Sequence, residues 1–132
     1  MKLVIGGGTR CGKSTLAEHI GRALQLPVYH ADDLIHLGWS EASEAFADVI
    51  AHGRDGVYEG VATVRSLRKM MKRPRIRPCT EYVHLSTPMV ALTPKQHALN
   101  AAIESVYREI SPRLRARYVQ VRVNSYLLNW EA

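Results

Sequence analysis

Residues 6–15 read GGGTRCGKST, with Gly7, Gly12, Lys13 and Ser14 on the spacing G-x-x-x-x-G-K-[ST] of a phosphate-binding loop. No other stretch constrains the fold as much. Such a loop works by aiming backbone N–H groups at phosphate oxygens, so it needs a buried strand leading in and a helix starting at the lysine. Both are legible. Lys2-Leu3-Val4-Ile5 is a short β-favouring run, and Leu16, Ile20 and Leu24 recur every four residues beside Ala17 and Ala23. They give a helix of about three turns one apolar face, ending before Pro27.

Beyond Pro27 the chain keeps alternating between strand and helix patterns. Val28-Tyr29-His30-Ala31 reads as a second strand and ends in the acidic pair Asp32-Asp33. Carboxylates there lie on the ligand-binding edge of an open α/β sheet. Ser40 and Glu41 suit a helix start, Ala42, Ala45, Phe46, Val49 and Ile50 keep helical spacing, and Gly53 stops it. Residues 56–61, GVYEGV, form a third strand, followed by a helix striped with Val64, Leu67 and Met71 that runs until Pro74. Met70 and Met71 read as core filler.

Glu81 to Leu85 is the fourth strand, and Thr93-Pro94-Lys95-Gln96 carries a capping-box signature. The helix it opens has Leu99, Ala102, Ile103, Val106 and Ile110 on its core face, and Ser111-Pro112 is expected to end or bend it. Tyr118 to Val123 alternates as an edge strand does, with Val119, Val121 and Val123 on one side. The tail from Asn124 to Ala132, with Tyr126, Leu127, Leu128 and Trp130, is expected to pack back on the body. Five strands and four helices predict a three-layer α/β domain with a parallel sheet and right-handed crossovers. At 132 residues the chain reads as a single domain, 1–132, with a core needing no disulfide or metal staple.

Two cysteines, Cys11 and Cys79, make neither a disulfide framework nor a zinc ligand set, and they fit a reducing cytoplasm. No run approaches a membrane span or a signal-peptide core, so no membrane partner is expected. The net charge of +6 is concentrated in residues 65–77, RSLRKMMKRPRIR, which hold seven Lys or Arg and no acid. This segment is either a solvated helix face, a wall for an anionic acceptor, or a surface for nucleic acid. Sequence alone does not separate these uses, and it carries no signal for oligomeric state.

The quoted residues resemble the small P-loop kinases of the adenylate-kinase-like and shikimate-kinase-like type, and within them the DNA topology modulation proteins. The likeness rests on GGGTRCGKST, on VYHADDLIHLGW and on GVYEGVA, and covers about the first 70 residues. It implies the sheet order 2-3-1-4-5, with Asp32 and Asp33 as the acids that hold magnesium or the acceptor hydroxyl and Glu59-Gly60 lining the acceptor side. The polynucleotide 5′-kinases of phages look similar in their Asp-Asp pair. Such kinases usually carry an arginine-bearing lid after the fourth strand, whereas Ser86 to Thr93 has no charged residue. Arg108, Arg113, Arg115 and Arg117 are the candidates to replace its arginines, with Arg113 placed in the catalytic set.

On this reading Gly7, Gly8, Thr9, Arg10, Cys11, Gly12, Lys13, Ser14 and Thr15 form the nucleotide-binding loop. Lys13 bridges the β- and γ-phosphates of ATP, and Ser14 with Asp33 holds Mg²⁺. Asp33, or Asp32 beside it, accepts the acceptor's proton, while Arg65 and Arg68 bind the acceptor's anionic group. His30 and His84 read as core or sheet-edge residues and Trp39 as the anchor of a helix start. Three functions follow from these parts. The first is a kinase for a nucleoside, nucleotide or similar small acceptor. The second is a polynucleotide kinase or nucleic-acid-dependent ATPase using residues 65–77, and the third is a non-catalytic nucleotide-binding protein.

Overall fold

A computed structural model describes residues 1–73 and 77–124. In chain order the elements are β1 (Lys2–Gly7), α1 (Lys13–Leu24), β2 (Val28–His30), a 3₁₀ helix (Ala31–Leu37), α2 (Trp39–His52), β3 (Gly56–Glu59), α3 (Thr63–Met70), β4 (Glu81–Leu85), α4 (Pro94–Ala116) and β5 (Gln120–Val123). The strands form one sheet in the order β2-β3-β1-β4-β5, every pairing parallel. The expected architecture and strand order are both observed. The expected tail packing lies outside the described residues.

Alternation along β1 divides the core. Leu3 and Ile5 face α1, where Leu16, Ala17 and Ile20 meet Val57, Val83 and Leu85. Val4 faces the other way, into a larger cluster built on Phe46, Tyr58, Leu67, Met70, Tyr82, Ile103 and Ile110. Full burial on both faces suits the unbroken apolar run of a central parallel strand. Cys11 and Cys79 are both free thiols buried in these clusters, and burial pushes the Cys79 thiol up to about 12.

Thr93 caps α4 as its sequence indicates, accepting from the Gln96 N–H at 3.2 Å while the Gln96 side chain accepts from the Thr93 N–H at 2.9 Å. Ser111-Pro112 does not end this helix, which continues to Ala116. Buried Leu114 and the near-buried Ser111 hold the last turn on the core and offset the hydrogen bond that proline cannot donate. The alternation read in β5 is also only partly kept. Val119 is buried but Val123 is half exposed, while Arg122 reaches Glu81 on β4 at 3.2 Å.

The one fully buried histidine, His84, sits on β4 opposite Gly6. Its Nδ1 lies 2.7 Å from the Tyr82 hydroxyl and its Nε2 lies 2.6 Å from Glu104 Oε1, while its ring stacks on Tyr107 at 3.8 Å. Burial holds its pKa below the ordinary value despite the opposing pull of Glu104, so the ring is neutral: Nε2–H donates to Glu104, and Nδ1 accepts from Tyr82. A histidine depressed in the folded state binds its proton more readily when unfolded, so stability is lost as pH falls through about 6.5. His84→Gln should therefore melt with a flatter pH profile than the wild type between about pH 7.5 and 5. Parallel profiles would show that His84 is not what charges on acidification.

Candidate active site

Steric demand fixes the shape of the loop between β1 and α1. Gly7 has φ 129°, and a Cβ there would lie 2.0 Å from the Leu85 carbonyl oxygen on β4. Gly12 takes φ 84° at the position that caps α1, where no side chain competes for the first N–H groups of the helix. Those groups are left to an anion. Neighbouring elements tether the loop, since the Gly8 N–H donates to Leu85 O at 3.2 Å and the Met89 N–H donates to Arg10 O at 2.9 Å. Met89 belongs to the uncharged segment that stands where a lid was missing from the sequence.

Over this loop opens a cleft of about 240 Å³. Thr9, Arg10, Gly12, Lys13, Ser14 and Thr15 form one wall, and Asp32, Glu59 and Val61 form the other. Lys13 is only 7% exposed, and its Nζ donates to the Gly8 carbonyl at 2.5 Å. Burial lowers its pKa, and the Glu59 carboxylate opposes that shift. Glu59 is itself buried at the end of β3. Its Oε1 accepts from the Ser14 hydroxyl at 3.3 Å, and its Oε2 lies 2.5 Å from His30 Nδ1. His30 Nε2 reaches Glu18 at 3.1 Å, and the hydrogen bond to Glu59 is the main cause of its raised pKa. His30 is on the edge strand β2, as expected, but its ring is held from both sides by carboxylates.

The two acids after β2 part company. Asp32 lines the phosphate cleft, whereas Asp33 lines a separate groove of about 220 Å³ with Tyr29, Leu34 and Phe46. A 3₁₀ turn rotates successive residues by about 120°, so adjacent acids on it point in different directions. The Ser14 hydroxyl contacts Glu59, and Asp33 is not among the residues lining the phosphate cleft. The sheet order contained that signal, since β3 lies beside β1 and its last residue must end beside the loop. Gly60 brings backbone into close packing instead of lining the cleft, with φ 147° and space for a Cβ blocked by the Ala31 side chain at 2.6 Å. Cys11 contributes backbone to the loop and buries its thiol in the core.

The arginines separate too. Arg65 stands over the Trp39 ring, 5.7 Å from its centroid. Arg68 lies 3.9 Å from Glu109 on α4. Lys69 and Arg73 dock α3 onto α2, with Lys69 at 3.5 Å from Glu44 and Arg73 at 3.0 Å from Glu44 and 2.8 Å from Asp48. Much of the basic segment is thus paired with its own protein, while Arg75 lies outside the described residues. Arg113 does not join the loop. It borders another cavity with Met71, Ala116 and Arg117, about 20 Å along α4 from Asn100 at roughly 1.5 Å rise per residue.

Sequence reasoning missed Asn100. Its side-chain oxygen accepts from the Thr9 N–H at 2.7 Å, and its amide donates to Thr9 O at 3.3 Å.

The chain is similar in structure to shikimate kinases. The shikimate kinase from Acinetobacter baumannii in complex with shikimate superposes with a TM-score of 0.57 at 12% identity, over 98% of this chain and 86% of the other. The shikimate kinase from Bacteroides thetaiotaomicron gives a TM-score of 0.52 at 12% identity, over 99% and 91%. No protein-family profile and no curated protein sequence matches the chain. At this identity the likeness carries the fold alone, a five-stranded parallel sheet in the order 2-3-1-4-5 flanked by helices. The narrower likeness to DNA topology modulation proteins stays a resemblance of motifs. Among the described residues no helix is long and apolar enough to cross a membrane.

Magnesium suits the cleft's donor set. The Ser14 hydroxyl and the Glu59 carboxylate beside it are hard oxygen donors, and magnesium keeps several of its own waters. Among the described residues there is no cluster of three His, Cys, Asp or Glu that would make a dedicated cage.

Proposed function

We propose that the protein is an ATP-dependent kinase that transfers the γ-phosphoryl group to a hydroxyl of a small acceptor. The convergence of Lys13, Ser14, Glu59 and Asp32 on one cleft carries this reading. The loop N–H groups and Lys13 bind the phosphates, Lys13 exchanging its Gly8 carbonyl for a phosphate oxygen. Ser14 and Glu59 would hold magnesium, which when bound neutralises charge on the phosphates. His30 and Ser14 between them keep the Glu59 carboxylate oriented toward the loop.

Asp32 takes the proton of the acceptor hydroxyl as its oxygen bonds to the γ-phosphorus and ADP leaves. Arg10, exposed at the loop and lining the cleft, is the best placed arginine to meet phosphate charge in the absence of a lid arginine. Arg65, held by an aromatic ring and not by a carboxylate, keeps its charge for an anionic group on the acceptor. The test is phosphoryl transfer from ATP with Mg²⁺ across nucleosides, nucleotides, sugars and hydroxylated carboxylates, shikimate among them. Nucleotide binding with no acceptor turned over would favour a non-catalytic role.

Nucleic acid is the weaker partner, because Arg68, Lys69 and Arg73 are engaged by Glu109, Glu44 and Asp48. Oligonucleotide affinity should fall with salt at a log-log slope of magnitude below about 3, each phosphate contact adding roughly 0.7 to 0.9. A steeper slope abolished by changing Lys72, Arg73, Arg75 and Arg77 together to alanine would promote the polynucleotide reading.

A further inference from the structure

Asn100 projects from α4 onto the back of the phosphate loop. Its carboxamide behaves as a second peptide, taking both the N–H and the C=O of Thr9, at 2.7 and 3.3 Å. Gly8 makes room for it, since a Cβ at that position would lie 2.5 Å from the carboxamide carbon. One turn further along α4, Glu104 binds the buried His84 at 2.6 Å, and after another turn Tyr107 stacks on the same ring. Residues four apart share a helix face, so one side of α4 grips both the loop and β4. Leu85, next to His84, accepts the Gly8 N–H. The loop is thereby fastened from α4 and from β4, in addition to its internal contacts from Lys13 to Gly8 O and from the Cys11 thiol to Thr9 O.

We propose that Asn100 is a positioning residue that holds the loop in its phosphate-receiving shape, with the Glu104–His84 contact setting the register of α4 that puts it there. The proposal rests on the reading of the cleft as a phosphate site. A loop held in shape before binding avoids the ordering cost that a free one would meet on capturing phosphate. That advantage is largest in a protein whose post-β4 segment is a short uncharged stretch in place of a closing lid.

Calorimetry of magnesium tripolyphosphate and of ATP–Mg²⁺, together with amide exchange at Thr9, tests the assignment. Asn100→Ala should bind tripolyphosphate about tenfold more weakly and exchange the Thr9 amide at least about tenfold faster, since both hydrogen bonds to the Thr9 backbone are lost. The variant's apo melting temperature should stay within a few degrees, because alanine favours the helix. A purely structural role would move the melting temperature and leave affinity alone. Asn100→Asp keeps the acceptor for the Thr9 N–H, so it should retain protection at that amide and serves should the alanine variant not fold. Wild-type binding matched within about twofold by Asn100→Ala, or a Thr9 amide unprotected in Asn100→Asp, would overturn the proposal alone. A wild type that binds neither ligand would remove the phosphate-site reading and this inference together.

Discussion

Replacing Lys13 by methionine is expected to abolish the thermal stabilisation that ATP–Mg²⁺ confers. A ligand at a hundred times its Kd stabilises the folded state by about 2.7 kcal/mol. For a chain of 132 residues that is a rise of about 10 °C in Tm. The Lys13 ammonium is the one buried cation on the cleft floor, and Gly8 O, 2.5 Å away, is a partner it can exchange for phosphate. Methionine fills the space of the lysine stem, so the variant isolates the charge. Without ligand it loses one hydrogen bond, about 1 kcal/mol, while His30 still satisfies Glu59. Differential scanning fluorimetry over an ATP titration measures both quantities. Equal ATP-induced shifts in the two proteins would sink the phosphate-loop assignment.

Local chemistry made most of the fold legible. Glycines at 7 and 12, the Thr93 capping box and the buried run Leu3-Val4-Ile5 each specify their conformation within a few residues, and the structure keeps all of them. Pro112 does not end α4, because its cost is local while the gain that overrides it is not. Leu114 belongs to a core cluster whose buried residues come from six other elements, invisible in the sequence around the proline. Edge strand β5 blurred for a similar reason, since whether Val123 is covered depends on what lies beyond the sheet.

The site was legible where one segment builds it and obscure where several meet. The loop residues are contiguous and were found together. Asp32 and Asp33 are adjacent, so strand patterning could not choose between them, and the choice is made by a 3₁₀ turn after β2. The charge run at 65–77 drew attention as a possible anion wall because its acidic partners, Glu44, Asp48 and Glu109, sit 20 or more residues away in other helices. Arg113 directly follows Pro112, and only the continuation of α4 to Ala116 shows how far from the loop it lies.

Asp32→Asn is expected to lower phosphoryl transfer by at least about a hundredfold while leaving the Kd for ATP within about threefold. Asparagine is isosteric with aspartate and still hydrogen-bonds a hydroxyl, but it cannot accept the proton that must leave as the new P–O bond forms. Binding of ATP draws instead on the loop, Lys13 and Ser14, none of which depends on Asp32 for a hydrogen bond. Asp33→Asn should leave kcat within about twofold, because its side chain borders the groove beside Tyr29 and Phe46. Single-turnover rates alongside calorimetric ATP affinities separate the two effects. If the Asp33 variant is the one that loses turnover, the 3₁₀ helix must rotate when substrates bind, and the acceptor side of the cleft has been drawn in the wrong state. If neither variant loses it, no carboxylate after β2 takes the proton, and a protein that binds nucleotide without transferring its phosphate becomes the better reading of the same cleft.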